Sequence, residues 1–205
     1  MGCRRHESEV RGNRLPTAVR AARGRTGVNV LCGTCQRPGS LGHILQVCPR
    51  THSSRVSRHD KIVYLVQSAE GKAGWSCIRE PAIPTTAGLR RPDLIFHHET
   101  WSFVVLDVTI LADNAVLQEV HARKVKYYDV PDIRNWIARN ISDKEVHFSS
   151  VSFSWRGLMA RASAETLCSR LGLGRQVLSP LSAITFERSL WLWQHLQRSN
   201  FMLRE

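Results

Sequence analysis

Two hydrophobic runs separated by a short polar break dominate the middle of the chain. Leu94-Ile95-Phe96 and Phe103-Val104-Val105-Leu106-Asp107-Val108-Thr109-Ile110 are rich in β-branched and aromatic residues and read as strands. A hairpin centred on Thr100 pairs residues whose numbers sum to 200, so Asp93 faces Asp107. Directly opposed residues on a hairpin have Cβ atoms about 5 Å apart. Two carboxylates that close repel, unless a divalent cation sits between them, and oxygen ligands completed by water are the usual setting for Mg²⁺.

The next element reads as a helix over 114–128, with Asp113 as N-cap. Leu117, Val120, His121, Lys124 and Tyr128 recur at helical spacing along one stripe. Lys124 therefore lies on the face that packs against the sheet, whereas Lys126 falls on a solvated face. A lysine on an apolar stripe must snorkel outward or meet buried carboxylates. Alone, it reads equally well as a structural partner of Asp107. Together with a second inward acid, it reads as a catalytic set.

Elsewhere the pattern predicts a helix over 57–69 with Ile62, Leu65 and Val66 on one face, ended by Gly71. A strand over 75–79 and a loop over 81–88 follow. Pro131 starts a short helix carrying Ile133, Trp136 and Ile137. Residues 145–155 alternate as a strand with a phase break at Ser149-Ser150, suggesting a bulge. Ser163 caps a helix with Leu167 and Leu171, stopped near Gly172, and Ser179-Pro180 starts a final helix. Three meandering strands, a helical crossover and a fourth strand make a mixed α/β sheet flanked by helices.

Composition changes the picture in one direction. Lys and Arg number 29 against 17 acidic residues, a formal net charge of +12. That balance fits a polyanionic partner, most simply nucleic acid, and otherwise a basic protein with solvated faces. No apolar run approaches the roughly 20 residues of a membrane helix, and no secretory leader follows Met1. Residues 1–30 are arginine-rich and poor in apolar periodicity, and are expected to form a basic, extended arm.

The arm runs into Cys32-Gly33-Thr34-Cys35, with His43 and Cys48 beyond. Three thiolates and an imidazole at this spacing suit tetrahedral Zn²⁺. Ser40 is placed to cap a short helix carrying His43 toward Cys48, with Pro49 limiting it. The expected organisation is an arm over 1–30, a knuckle over 31–53 and an α/β domain over 54–205.

These features meet in one family. Leu15-Pro16-Thr17, the Cys-Cys-His-Cys knuckle, the run from His43 to His52, Arg58-His59-Asp60, Arg91-Pro92-Asp93, Asp107-Val108-Thr109, Lys124 to Tyr128, Ser154-Trp155-Arg156-Gly157 and Leu171-Gly172-Leu173 resemble the C-terminal part of the Pol polyprotein of site-specific non-LTR retrotransposons that insert into ribosomal RNA genes. The resemblance covers most of residues 15–195. It implies a restriction-endonuclease-like core, with Asp93 and Asp107 as magnesium ligands and Lys124 as the catalytic lysine. Thr109 stands where many restriction enzymes place their lysine; in this element type the lysine sits on the following helix. It further implies a nuclear enzyme that nicks double-stranded target DNA so that element RNA is reverse-transcribed from the nick. The reverse-transcriptase palm with its aspartate pair does not occur in this sequence. Arg50, Arg55, Arg58, Arg90 and Arg91 are the expected nucleic-acid contacts, mostly to phosphates. The competing expectation is a non-catalytic zinc module that binds nucleic acid, a decayed element retaining its fold.

Overall fold

The computed structural model describes residues 15–23, 25–72, 74–98 and 103–202. Its centre is a four-stranded sheet whose strands follow one another in the order β1 (Ser76–Arg79), β4 (Leu94–His97), β5 (Phe103–Leu111) and β6 (Val146–Ser154), as the meander and crossover predict. The first two junctions are antiparallel and the third is parallel. The hairpin register pairs Leu94 with Leu106 and His97 with Phe103, as the numbers summing to 200 predict. Between β1 and β4, the segment expected to be a loop holds a small antiparallel ribbon, β2 (Ile83–Thr85) with β3 (Gly88–Arg90). Its three-residue strands are too short for an alternation to show in the sequence, and Pro84 argues against a strand there.

Helices cover both faces. On one side lie α3 (His52–Lys72) and the long C-terminal α7 (Leu178–Met202); Ile62, Val63 and Val66 meet Leu94, Phe96, Val104, Leu106 and Val108 there. On the other lie the two crossover helices, α4 (Leu117–Tyr128) and α5 (Pro131–Asn140), which bury Tyr128, Ile133 and Ile137 against Ile95, Phe103 and Val105. Burial on both faces explains why β5 reads as a near-continuous apolar run.

The remaining helices are short: α1 (Ala18–Ala21), α2 (Leu41–Gln46) and α6 (Arg161–Glu165), the last continuing into one wide turn, Thr166–Arg170. Residues 1–14 of the expected arm lie outside the described residues, but its end is not extended. Leu15 is buried, and Thr17 caps α1 by accepting a hydrogen bond from the Arg20 N–H. Leu15 joins Leu41, Ile44 and Leu45 of the knuckle, Trp155, and Phe186, Leu190, Trp193 and Leu196 of α7 in one apolar cluster. The knuckle is thus packed onto the α/β core, and α3 runs on from it after a single 3₁₀ turn at Pro49–Thr51.

Three local expectations are corrected. Helix α4 starts at Leu117, and Asp113 caps nothing; its carboxylate pairs with Arg156 at 2.7 Å (Nη2) and 2.8 Å (Nε). Strand β6 is unbulged, in unbroken register from Phe103↔Val146 to Leu111↔Ser154. The apparent phase break arises because Ser149 and Ser150 are buried with their hydroxyls paired, to Thr166 and Ser152. Ser163 sits inside α6 and does not cap it. Its hydroxyl donates to the Ser150 carbonyl and accepts from the Ser152 N–H, tying α6 to β6. After β6, Gly157 takes a left-handed φ of +82°, and a Cβ there would strike the Ser182 carbonyl of α7.

Candidate functional site

The Cys/His cluster forms as its spacing predicts. Donor atoms of Cys32, Cys35, His43 and Cys48 all lie within 4.8 Å of one another, enough to hold one metal ion. Cys32 Sγ is 3.8 Å from Cys48 Sγ, and Cys35 Sγ is 3.3 Å from His43 Nε2. Local chemistry places each donor. Leu31 bridges to Pro38, and Gln36 takes a left-handed φ of 56° to close the first turn. Ser40 caps α2 by accepting from the His43 N–H at 3.1 Å, presenting the imidazole inward. The Thr51 hydroxyl donates to the Ile44 carbonyl and lies 3.0 Å from that of Cys48, holding the last ligand's turn. Burial pushes the Cys32 thiol up. Hydrogen bonds from the Thr34 and Cys35 backbone N–H groups and from the His43 and Cys35 side chains outweigh it and lower the thiol to about 6. A thiol so lowered is a thiolate at neutral pH, the form a metal binds. Burial holds the Cys48 thiol up.

The second cluster forms where the β4–β5 ladder ends at Leu94↔Leu106. Past that point the Val108 N–H donates to Asp93 Oδ2 at 2.6 Å. Asp107 is 5 % exposed, on the sheet face that α4 covers. Tyr128 Oη lies 2.9 Å from Asp107 Oδ1 and 3.0 Å from the Arg91 carbonyl, so its single proton serves one acceptor at a time. Lys124 Nζ forms an ion pair with Asp107 Oδ2 at 3.0 Å, and that buried oxygen has no other protein partner among the described residues. Burial raises the Asp107 carboxyl; Lys124 lowers it in part, and the Asp93 charge raises it again. Burial, with the Asp107 charge and hydrogen bond, also raises the Tyr128 phenol, keeping it a donor. Asp93, Asp107 and Lys124 are thus brought together, while Lys126 is exposed on another face of α4.

His59 also belongs here, and the sequence reading gave it no role. Its Nε2 is 3.2 Å from both Asp93 Oδ2 and the Val108 carbonyl, two acceptors, so Nε2 carries a proton. Its Nδ1 faces Asp60 Oδ1 at 3.3 Å. Burial pushes this imidazole down, but the hydrogen bonds and charges of Asp93 and Asp60 outweigh it and raise it to about 9. The signal was helix phase: His59 precedes Ile62, Val63 and Val66 at i+3, i+4 and i+7 of one stripe. Tyr128 lies on the expected stripe of α4, and its role as a hydrogen-bond donor to Asp107 depends on a contact that helix phase alone does not specify.

The arginines expected on nucleic acid divide. Arg58 is contradicted: it is 2 % exposed, donating to Ser189 Oγ at 2.8 Å and the Leu45 carbonyl at 3.1 Å, and it clamps α3 between the knuckle and α7. Arg55 donates to the Gln46 carbonyl at 2.6 Å. Arg90 stacks on the Tyr127 ring at 4.3 Å and donates to the Tyr127 carbonyl. Arg50 and Arg91 are exposed.

The molecule is therefore a mixed α/β domain, its sheet flanked by helices, carrying a Cys₃His cluster able to hold a metal ion and an acid–lysine cluster at the ends of two strands. Over most of its length this chain is homologous to the Pol polyproteins of R2 retrotransposable elements. It is 32% identical over 163 residues to the Retrovirus-related Pol polyprotein from type-2 retrotransposable element R2DM of Drosophila melanogaster, covering 78% of this chain and 15% of that protein. It is 36% identical over 157 residues to the Retrovirus-related Pol polyprotein from type-1 retrotransposable element R2 of Nasonia vitripennis, covering 73% and 15%. The Bradysia coprophila counterpart is 27% identical over 188 residues, 91% of this chain and 21% of that protein. The chain thus spans about a fifth or less of the length of these relatives. No protein-family model matches it.

Proposed function

We propose that this chain is a magnesium-dependent DNA endonuclease module with a restriction-endonuclease-like core, which nicks double-stranded target DNA in the nucleus so that element RNA is reverse-transcribed from the nick. The observation that carries this reading is Asp107. It is a buried carboxylate set beside a second acid, with one oxygen whose sole protein partner among the described residues is a lysine from the next helix. Burial keeps this carboxyl raised even with Lys124 beside it, a cost that a divalent cation shared with Asp93 would offset. The strand meander, helical crossover and parallel fourth strand support the core assignment. These residues carry no polymerase site.

Asp93 and Asp107 fit an oxygen-ligated magnesium, and the ion when bound supplies Lewis-acid stabilisation and an activated water. Among the chain's own groups, the Val108 N–H and His59 fix Asp93 through Oδ2, leaving Oδ1 without a protein donor among the described residues. Tyr128 fixes Asp107 through Oδ1. Lys124 carries its charge to the rim of the cluster, its side chain 34% exposed, where it neutralises charge developing on a phosphate. The Cys32, Cys35, His43 and Cys48 set fits structural zinc.

Incubating supercoiled plasmid with the protein in Mg²⁺ or EDTA tests this. Relaxed circles should form only with Mg²⁺ and not with Asp107→Asn; supercoiled DNA persisting under all conditions refutes the nuclease. The other reading, a non-catalytic zinc module that binds nucleic acid, has one observation behind it: His59 and Lys124 already pair with both carboxylates. That reading predicts DNA binding with no relaxation.

A further inference from the structure

The proposed chemistry leaves unused the outward face of α3. His52, Val56, Lys61 and Tyr64 line it, with Lys61 and Tyr64 on the side opposite the buried Ile62, Val63 and Val66. With Arg79 from β1 and Arg188 from α7, they line an open groove of about 710 Å³. Lys61, Arg79 and Arg188 bring three cations to the groove, against Asp60 among its lining residues and Glu80, which pairs with Arg79 at 3.3 Å beside it. The floor carries an aromatic ring. Tyr64 is 53% exposed, and Lys61 Nζ stands 5.1 Å from its centroid.

The groove also touches the acid cluster. Asp60, one of its lining residues, is 3.3 Å from His59 Nδ1, and the opposite nitrogen of that ring is 3.2 Å from Asp93. One imidazole therefore separates the groove from the carboxylates. From His52 to Tyr64 the helix advances about 18 Å, enough to follow a short run of nucleotides.

We infer that this groove holds an unpaired segment of DNA strand beside the cut, with one base stacked on Tyr64 and its phosphates against Lys61, Arg79 and Arg188. An exposed ring flanked by cations is the combination that binds single strands without reading sequence. In an intact duplex the base faces are covered by their neighbours, so a duplex can use the cations but not the ring. The choice of DNA rests on the nuclease reading, because the groove adjoins that site; the groove's affinity for an unpaired strand does not.

The test keeps the two apart by working in buffer with neither Mg²⁺ nor chelator, where no cleavage occurs and the Cys/His cluster is not stripped of metal. A fluorescent single-stranded DNA 12-mer and the matching duplex are titrated with wild-type, Tyr64→Ala, Tyr64→Phe and Lys61→Ala protein. Loss of the stack should weaken single-strand binding by Tyr64→Ala about 10-fold, leave duplex binding unchanged and be restored in Tyr64→Phe. Lys61→Ala should weaken both probes and lower the slope of log affinity against log salt by about 1. Photo-crosslinking with 5-iodouracil in the 12-mer should place the adduct on Tyr64. Single-strand affinity equal to wild type in Tyr64→Ala, or an adduct only outside residues 52–64, overturns the groove. Tighter, Tyr64-dependent binding of an RNA 12-mer overturns its assignment to DNA. Tyr64-dependent DNA binding in a protein that never relaxes plasmid supports the groove while refuting the nuclease.

Discussion

Replacing Asp107 by Asn should make the metal-free protein more stable while abolishing nicking. Asn is nearly isosteric and its carbonyl still accepts from Tyr128. What changes is the charge. Its loss removes the ion pair to Lys124, whose side chain is one-third exposed; pairs open to solvent contribute about 0–1 kcal/mol. It also removes the cost of holding a carboxylate at 5 % exposure beside Asp93, and desolvating such an ion costs several kcal/mol. The second effect wins, because the folded protein raises the Asp107 carboxyl above its ordinary range despite Lys124. A carboxyl raised by folding penalises the folded state above its folded pKa and not below its unfolded one. A net gain of about 1 kcal/mol corresponds to a rise of about 2–4 °C in Tm for a chain of this size. Calorimetric melts in Mg²⁺-free, chelator-free buffer should show that rise at pH 8 and none below about pH 4, where the wild-type carboxyl is also neutral. With Mg²⁺ at 100 times its dissociation constant, the wild type should gain about 2.7 kcal/mol and overtake the variant. An Asp107→Asn protein that melts several degrees lower without Mg²⁺ would identify the Lys124–Asp107 pair as a structural bond and remove the argument for a cation.

Lys124→Ala should lower nicking about 10²–10³-fold with DNA binding nearly intact, whereas Lys126→Ala should cost mainly affinity; single-turnover nicking and filter binding separate the two. Elemental analysis should find about one zinc per chain, and full zinc retained in Cys35→Ser with Cys48→Ser would reject the cluster as its site. Arg58→Met should destabilise by about 1–3 kcal/mol, read by urea unfolding, because the Leu45 carbonyl loses its guanidinium donor. An unchanged midpoint would show that Arg58 clamps nothing.

Short-range patterns carried much of this structure. The hairpin register followed from two β-branched runs around a short polar break, and Lys124 from the phase of one helix. The metal cluster followed from the spacing of three thiols and an imidazole with a capping serine between. What the sequence concealed depends on partners far along the chain. His59 reaches Asp93 across 34 residues, Asp113 finds Arg156 across 43, and Arg58 finds Ser189 across 131. An arginine near a basic arm reads as a phosphate contact until the helix that buries it is known. Likewise Ser149, Ser150 and Ser163 read as a bulge and a cap because nothing local shows that their hydroxyls face one another's strand and helix.

Helix α3 joins the two clusters as a camshaft joins its lobes. Cys48 closes the metal cluster, one 3₁₀ turn follows, and the same rod then carries His59 to Asp93. Each residue of an α-helix turns the next side chain by about 100°. Adding or removing one residue between Thr51 and His59 would leave every ligand and every acid in the chain, yet swing the imidazole off Asp93 by more than a quarter turn. The length of that segment is therefore a timing element, and the two clusters are bound to vary together or not at all.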